Sequence, residues 1–375
     1  MPVRCDTAII GAGIVGAACA RETVRLGMDV VVVDSSPPGL GATAAGMGHI
    51  VVMDDTEAQF ALTHWSRRLW DAFVADLPAR AEVDRCGTIW VAEDAEDMAA
   101  VEAKHTYYQE RGVPTEVLGP DELAAAEPAL RTGLAGGLLV PGDLVVYAPT
   151  CADAMVAEAV AHGAVVERAH VDSVAPGRVG LADGRTILAE HVVVAAGAGA
   201  AELIAPWFPQ FRLQPRKGHL VITERSPGFC RHQLIELGYL KSAHSHTSSS
   251  VAFNVQPRLT GQVLLGSSRQ YERDDARVEP DVVSRMIDRA TAFVPGVADL
   301  SVLRTWAGFR PASTDQLPAL GPVPGADGVW LAAGHEGLGI TTSLASGRMI
   351  ADMLVGRDSE IAREPYLPQR FATAP

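Results

Sequence analysis

The sequence predicts an α/β chain of mixed α+β character, in which a Rossmann-like domain is interrupted by a second domain built on an antiparallel sheet. Three observations predict it. Residues 3–34 read as strand, glycine-rich turn, helix, strand and acid, the order of a parallel βαβ unit. Apolar strand patterns followed by short helices return in the middle of the chain and near its end. Between these pieces, about 81–145 and 211–305 are strand-rich. The first domain is therefore expected in three pieces, 1–80, 146–210 and 306–375, and the second in two, 81–145 and 211–305.

The first strand pattern runs into Gly11-Ala12-Gly13-Ile14-Val15-Gly16. Gly11 permits a tight turn, Gly13 a close approach of backbone to a pyrophosphate, and Gly16 close packing of helix on strand. The helix that follows would present unpaired N–H groups to the phosphates. Val30–Val33 then ends at Asp34, about 20 residues past the middle glycine, where a carboxylate can hold ribose hydroxyls, with Ser35 beside it. Residues 35–49 hold so much Gly, Pro and Ser that they read as a loop rather than a helix. Thr56 is an N-cap candidate for a helix to about Ala75. Residues 83–93 read as a strand or hairpin arm, 96–111 as a polar helix, and Asp121–Glu127 as a short helix ended by Pro128. Pro149 opens a helix to about His162. Residues 165–171, 185–188 and 191–195 read as strands, with Asp183-Gly184 as a hairpin turn and Ala196-Gly197 closing the last of them. Residues 211–224 and 251–268 are strand-rich and 281–293 helical. Val329–Ala333 is a short buried strand, followed by Gly334-His335-Glu336-Gly337-Leu338-Gly339 and a helix from about Ile340 to Leu354.

Composition excludes several classes. A net charge of −14 without a basic block argues against nucleic acid and against anionic lipid as partners. The five cysteines form no CxxC pair, which fits scattered thiols in a reducing cytosol and a cytoplasmic location. No signal peptide and no uninterrupted apolar window of about 20 residues is seen, so no membrane span is expected. His244-Ser245-His246 invites a metal reading but lacks a third ligand, and no metal is assigned.

These pieces together resemble the D-amino-acid oxidase family of FAD-dependent amine oxidoreductases, which includes glycine and sarcosine oxidases. The resemblance lies in the N-terminal fingerprint with Asp34, in Ala44-Ala45-Gly46-Met47, in Val193-Val194-Ala195-Ala196-Gly197-Ala198, and in Gly308-Phe309-Arg310-Pro311 with Gly334–Gly339. A narrower likeness, carried by Pro215–Ile222 and Glu236–Lys241, is to flavin beta subunits such as those of D-hydroxyproline dehydrogenase, opine oxidase and hydrogen cyanide synthase. The resemblance implies an FAD domain covered by a substrate domain, a small amino or imino acid as substrate, and partner subunits for electron transfer as one option. Two departures stand out. The family usually has Glu where this chain has the shorter Asp34. Some members tether FAD through a Cys where this chain reads Pro311-Ala312-Ser313-Thr314-Asp315, so FAD is expected to be held non-covalently.

The chemistry needs an anchored carboxylate and a stabilised charge on the reduced flavin. Arg310 offers a planar fork that matches a carboxylate, although an internal salt bridge would satisfy its charge equally. A helix starting at Ile340 behind Gly334–Gly339 would favour negative charge at its N-terminus. Thr43, Ala45, Gly46 and Met47 are expected to run beside the cofactor, and the resemblance implies that the Val171 backbone holds adenine. His49 is a candidate hydrogen-bonding partner of flavin or substrate, or a structural histidine. Lys217 would influence oxygen reactivity or be solvated, and Tyr239 and Tyr147 would line a pocket or sit in the core.

Overall fold

The computed structural model describes residues 3–237, 249–271 and 275–372. The chain divides into two compact units, Met1–Ala81 with Tyr147–Pro215 and Arg310–Pro375, and Glu82–Val146 with Arg216–Phe309.

In chain order the first unit begins with β1 (Val3–Ile10), α1 (Ile14–Val24), β2 (Val30–Asp34), α2 (Ala42–Ala45), β3 (His49–Ile50) and α3 (Glu57–Phe73). The second unit then takes β4 (Thr88–Ala92), α4 (Ala95–Glu110), β5 (Glu116–Leu118), α5 (Pro120–Ala126), β6 (Gly136–Val140) and β7 (Leu144–Val145). The chain returns to the first unit for α6 (Ala148–Ala161), β8 (Val165–Arg168), β9 (Val171–Ala175), β10 (Arg178–Leu181), β11 (Thr186–Val194) and α7 (Ala200–Ile204). Next come β12 (Gln214–Arg225), β13 (Gln233–Glu236), β14 (Ser249–Pro257), β15 (Gln262–Gln270), α8 (Pro280–Phe293) and β16 (Val302–Ala312). The first unit closes with β17 (Ala319–Pro322), β18 (Val329–Ala333) and α9 (Gly339–Leu354).

The sheet of the first unit runs β17-β18-β11-β1-β2-β8, with β10 and β9 added beside β11. Its central pairs, β11–β18, β1–β11, β1–β2 and β2–β8, are parallel. The strands of such a sheet are covered on both faces, so they read as continuous apolar runs such as Val30–Val33, at most 3% exposed. Val31, Val33, Ile187, Val192, Val194 and Leu331 share one core on this sheet.

Three expectations differ from what forms. Residues 165–171 break into β8 and β9: the ladder with β2 ends where the Ala169 N–H donates to the Asp34 carbonyl at 3.1 Å, and from Val171 the chain pairs with β10 instead. Residues 185–195 form one strand rather than two. β1 pairs along β11 from Ile187 to Val194, so backbone bonding carries the strand past the polar Glu190. The expected loop 35–49 contains the one-turn helix α2, entered through Gly41 at φ +70°.

The sheet of the second unit runs β16-β12-β15-β14-β13-β4-β6-β5. It is antiparallel at β12–β15, β14–β15, β13–β14, β4–β6 and β5–β6, and parallel where β13 meets β4. One face packs Val221, Leu234, Phe253, Val255 and Leu265 against Val282, Met286 and Phe293 of α8. The polar helix at 95–110 and the Thr56 cap form as expected, with the Thr56 hydroxyl accepting the Gln59 N–H at 3.0 Å.

Candidate functional site

The N-terminal turn is built from glycines that serve different ends. Gly11 sits at φ +106°, and a Cβ there would come 2.5 Å from the Ala195 carbonyl oxygen. A Cβ on Gly16 would come 1.9 Å from the Gly11 oxygen. Both glycines are required by the fold. Gly13 differs: it is extended (φ −64°, ψ 173°) and a Cβ would meet nothing closer than Thr43 Oγ1 at 3.5 Å. It is also the N-cap of α1 and makes no side-chain cap. A bare backbone at a helix start whose own N-cap residue offers no side chain, on a side that protein packing leaves open, is what a pyrophosphate requires.

The surrounding chain is tied to this turn. The Ile14 N–H donates to Thr43 Oγ1 at 3.1 Å, and the Gly39 N–H to the Ala12 oxygen at 2.8 Å. Asp34 accepts the Ala12 N–H through one carboxylate oxygen and the Ser36 N–H through the other, each at 2.7 Å. The acid therefore locks the glycine turn, and the second lone pair on each oxygen remains for a ribose hydroxyl. Ala195 donates to the Ile10 oxygen at 2.9 Å, which sets Ala196 and Gly197 (φ +57°) at the carboxyl end of β11, beside the turn. Val171 lies further along, its side chain in the core at 9% exposure.

A second group of candidates converges from the C-terminal segment. Gly334 (φ +82°) turns the chain out of β18, and Glu336 holds φ +52°, a left-handed conformation that side chains rarely take. The Glu336 N–H donates to the Pro311 oxygen at 3.1 Å and His335 bridges to Ala312. These bonds hold the end of β16 against the loop. They bring Arg310 beside Gly337, where a Cβ would come 3.4 Å from both Cδ and Nε of that arginine. α9 then starts at Gly339 with Leu338 as N-cap, no side-chain cap and no acid in its first turn.

The two groups meet through the 43–49 segment. A Cβ on Gly46 would come 2.9 Å from Ile340 Cδ1, and a Cβ on Gly339 would come 3.9 Å from Val15 Cγ2. The His49 carbonyl accepts from Thr341 Oγ1 at 2.8 Å, while its ring is half-buried. Ala45 and Met47 flank Gly46, both partly exposed.

Other candidates take their setting from their own unit. Lys217 is neither solvated nor exposed: it is fully buried in the second unit, 3.1 Å from Glu279 and 3.5 Å from Asp275. Glu279 is the N-cap residue of α8, so this ion pair ties β12 to the start of that helix. Tyr147 caps α6 with its side chain 41% exposed, so it is not a core residue. Tyr239, His244 and His246 lie outside the described residues. Among the described residues no group of acids, His and Cys could hold a metal ion.

The sequence reading missed Thr341, Ser346 and Ser313. Thr341 joins three elements: it accepts the Val51 N–H at 3.3 Å, donates to His49, and its carbonyl accepts Trp70 Nε1 at 3.0 Å. The signal was there, since Thr341-Thr342-Ser343 is a run of indifferent helix formers in a buried helix. Ser313 donates to the Leu317 carbonyl at 2.7 Å and is 4% exposed, so an internal hydrogen bond holds the turn that follows β16.

Known proteins resemble the chain over its whole length. It is 29% identical to the glycine oxidase of Pseudomonas aeruginosa, covering 96% of this chain and 97% of that protein. It is 28% identical to the hydrogen cyanide synthase subunit HcnC of the same species, covering 99% and 97%. The crystal structure of glycine oxidase from Geobacillus kaustophilus superposes with a TM-score of 0.86 at 27% identity, over 97% of this chain and 98% of that one. The model of the FAD dependent oxidoreductase family matches residues 6–353, which contain both the glycine turn and the Arg310 loop, and this chain belongs to that family and is an FAD-dependent oxidoreductase.

Proposed function

We propose that the chain oxidises the C–N bond of a small amino or imino acid, giving an imine that water then hydrolyses, with FAD held non-covalently. The observation that carries the reading is the placement of Arg310 against the loop from which α9 starts. A guanidinium there offers two parallel N–H donors to a carboxylate, and the uncapped helix start favours negative charge close by. The glycine oxidase likeness supports an amino-acid substrate.

When bound, FAD supplies the hydride acceptor. The protein contributes position and electrostatics. Gly13 and the first turn of α1 would hold the pyrophosphate, with Asp34 at the ribose and Thr43 steadying the helix start. Arg310 would anchor the substrate carboxylate and so fix the direction of the Cα–H bond. A substrate bound as the neutral amine loses hydride from Cα without a general base, so no side chain is assigned that task.

For the substrate we assign a cyclic imino acid such as D-proline or D-hydroxyproline, on the likeness of 215–222 to flavin beta subunits. A glycine- or sarcosine-type oxidase that passes electrons to oxygen is the second reading, favoured by the full-length likeness to glycine oxidases. A partner subunit as electron acceptor fits the likeness to HcnC. An anaerobic screen of glycine, sarcosine, D-proline and D-hydroxyproline for flavin bleaching tests the class. Bleaching by none of these or of a wider amino-acid set rejects it. Assaying peroxide against an artificial acceptor separates oxidase from dehydrogenase. Arg310→Ala should raise KM at least tenfold with FAD retained, and unchanged kinetics would remove the anchor.

A further inference from the structure

We propose that His335 is a positioning residue: its ring, bonded to Ser346, fixes the direction in which the first turn of α9 presents its N–H groups, and through that the affinity and reduction potential of the bound flavin. The proposal rests on the reading that the start of α9 faces the flavin. His335 lies four residues ahead of α9 and is 5% exposed. Its Nε2 is 3.0 Å from the hydroxyl of Ser346, which is fully buried in the body of the helix. The ring therefore lies along the helix flank and points into the unit rather than toward a ligand. Gly339 makes this fit, because a Cβ there would come 3.3 Å from His335 Cβ. The His335 carbonyl also accepts the Leu338 N–H at 3.0 Å, the last turn before the helix.

The segment needs such a fixture. Glu336 sits at φ +52°, and strained backbone persists only where its surroundings over-determine it. Backbone bonds to β16 hold one side of the loop, and the ring of His335 holds the other. Burial pushes the imidazole down to about 3, so it is neutral at working pH and acts by its hydrogen bond and shape rather than by charge. Removing the ring leaves the Ser346 hydroxyl buried without that bond and frees the loop to relax, which turns the first N–H groups of α9 away.

The test uses His335→Ala, Ser346→Ala, the double variant and His335→Gln, which keeps a side chain able to hydrogen-bond Ser346. FAD affinity is read by titrating the apoprotein, and the midpoint potential by dye-coupled reductive titration. No amino acid enters either measurement, so a failed substrate screen leaves both readouts intact. We expect each single alanine variant to weaken FAD binding about tenfold and to move the potential to more negative values. The double variant should go no further than the worse single one, and His335→Gln should recover most of the loss. Variants that melt earlier but keep wild-type affinity and potential would overturn the proposal, as would losses that add.

Discussion

Gly13 is the glycine of the N-terminal turn that internal packing does not demand. Its backbone is ordinary, and the nearest atom to an added Cβ is 3.5 Å away. Gly13→Ala should therefore leave the apoprotein as stable as wild type, or slightly more so through a stiffer unfolded chain. It should weaken FAD binding at least tenfold. Gly11→Ala should do the reverse in order, lowering stability first, because φ +106° and a contact at 2.5 Å allow no side chain. Equal FAD affinity for wild type and Gly13→Ala, measured by flavin fluorescence, would sink the phosphate role. His335 gives a second residue-scale expectation. Its folded pKa, about 3, lies below the ordinary value of 6.5, so the unfolded chain takes the proton first as pH falls. The stability it contributes is whole above pH 6.5 and drains as pH falls toward 3, at up to ~1.4 kcal/mol per pH unit. Urea unfolding of apoprotein between pH 7.5 and 4.5 should show a shallower fall for His335→Gln. Parallel curves would remove His335 from the acid response.

At the scale of elements, α9 carries more than a charge at its start. It crosses α1 so closely that a Cβ on Gly347 would lie 2.6 Å from the Ala18 carbonyl carbon. The contact is backbone, which cannot move aside like a flexible side chain. Gly347→Ala should cost ~1–3 kcal/mol by overpacking, against the small gain in helix propensity. Since α1 begins at the glycine turn, the same change should weaken FAD binding, and a stable, fully flavinated variant would show that the crossing has slack. The strand that bears Arg310 is continuous from Val302 to Ala312, although Gly308 and Pro311 punctuate its sequence. Lys217 teaches a related point about β12. Neighbouring residues alternate between faces, so a charged pair such as Arg216-Lys217 splits. Lys217 goes to the α8 side, while Arg216 packs its guanidinium over the Tyr271 ring, 4.9 Å from its centroid.

For the whole molecule, FAD is a ligand of the native state alone, so binding must stabilise. At a free FAD concentration of one hundred times Kd the gain is ~2.7 kcal/mol, and the melting temperature should rise with FAD concentration. Gly13→Ala should lose that rise without losing the apoprotein transition. A melting temperature indifferent to FAD would contradict the assignment of the site. The candidate residues of the first unit come from all three of its sequence pieces, 1–81, 147–215 and 310–375, so the pocket can form only once these are assembled.

The sequence by itself determined the βαβ start, the acid at 34, the strand at 329–333 and the helix behind it. Each is a local pattern, because periodicity and glycine spacing act over a few residues. It proposed Arg310 and the 334–339 loop as site residues from their local chemistry together with the family resemblance. Tertiary structure alone decided that Asp34 clamps Ala12 and Ser36, that His335 turns inward to Ser346, that Thr341 ties β3 and α3 to α9, and that Lys217 is spent on Glu279. Those facts depend on partners as many as 292 positions away, and hydrogen-bond geometry between such partners is written in no short window of the chain.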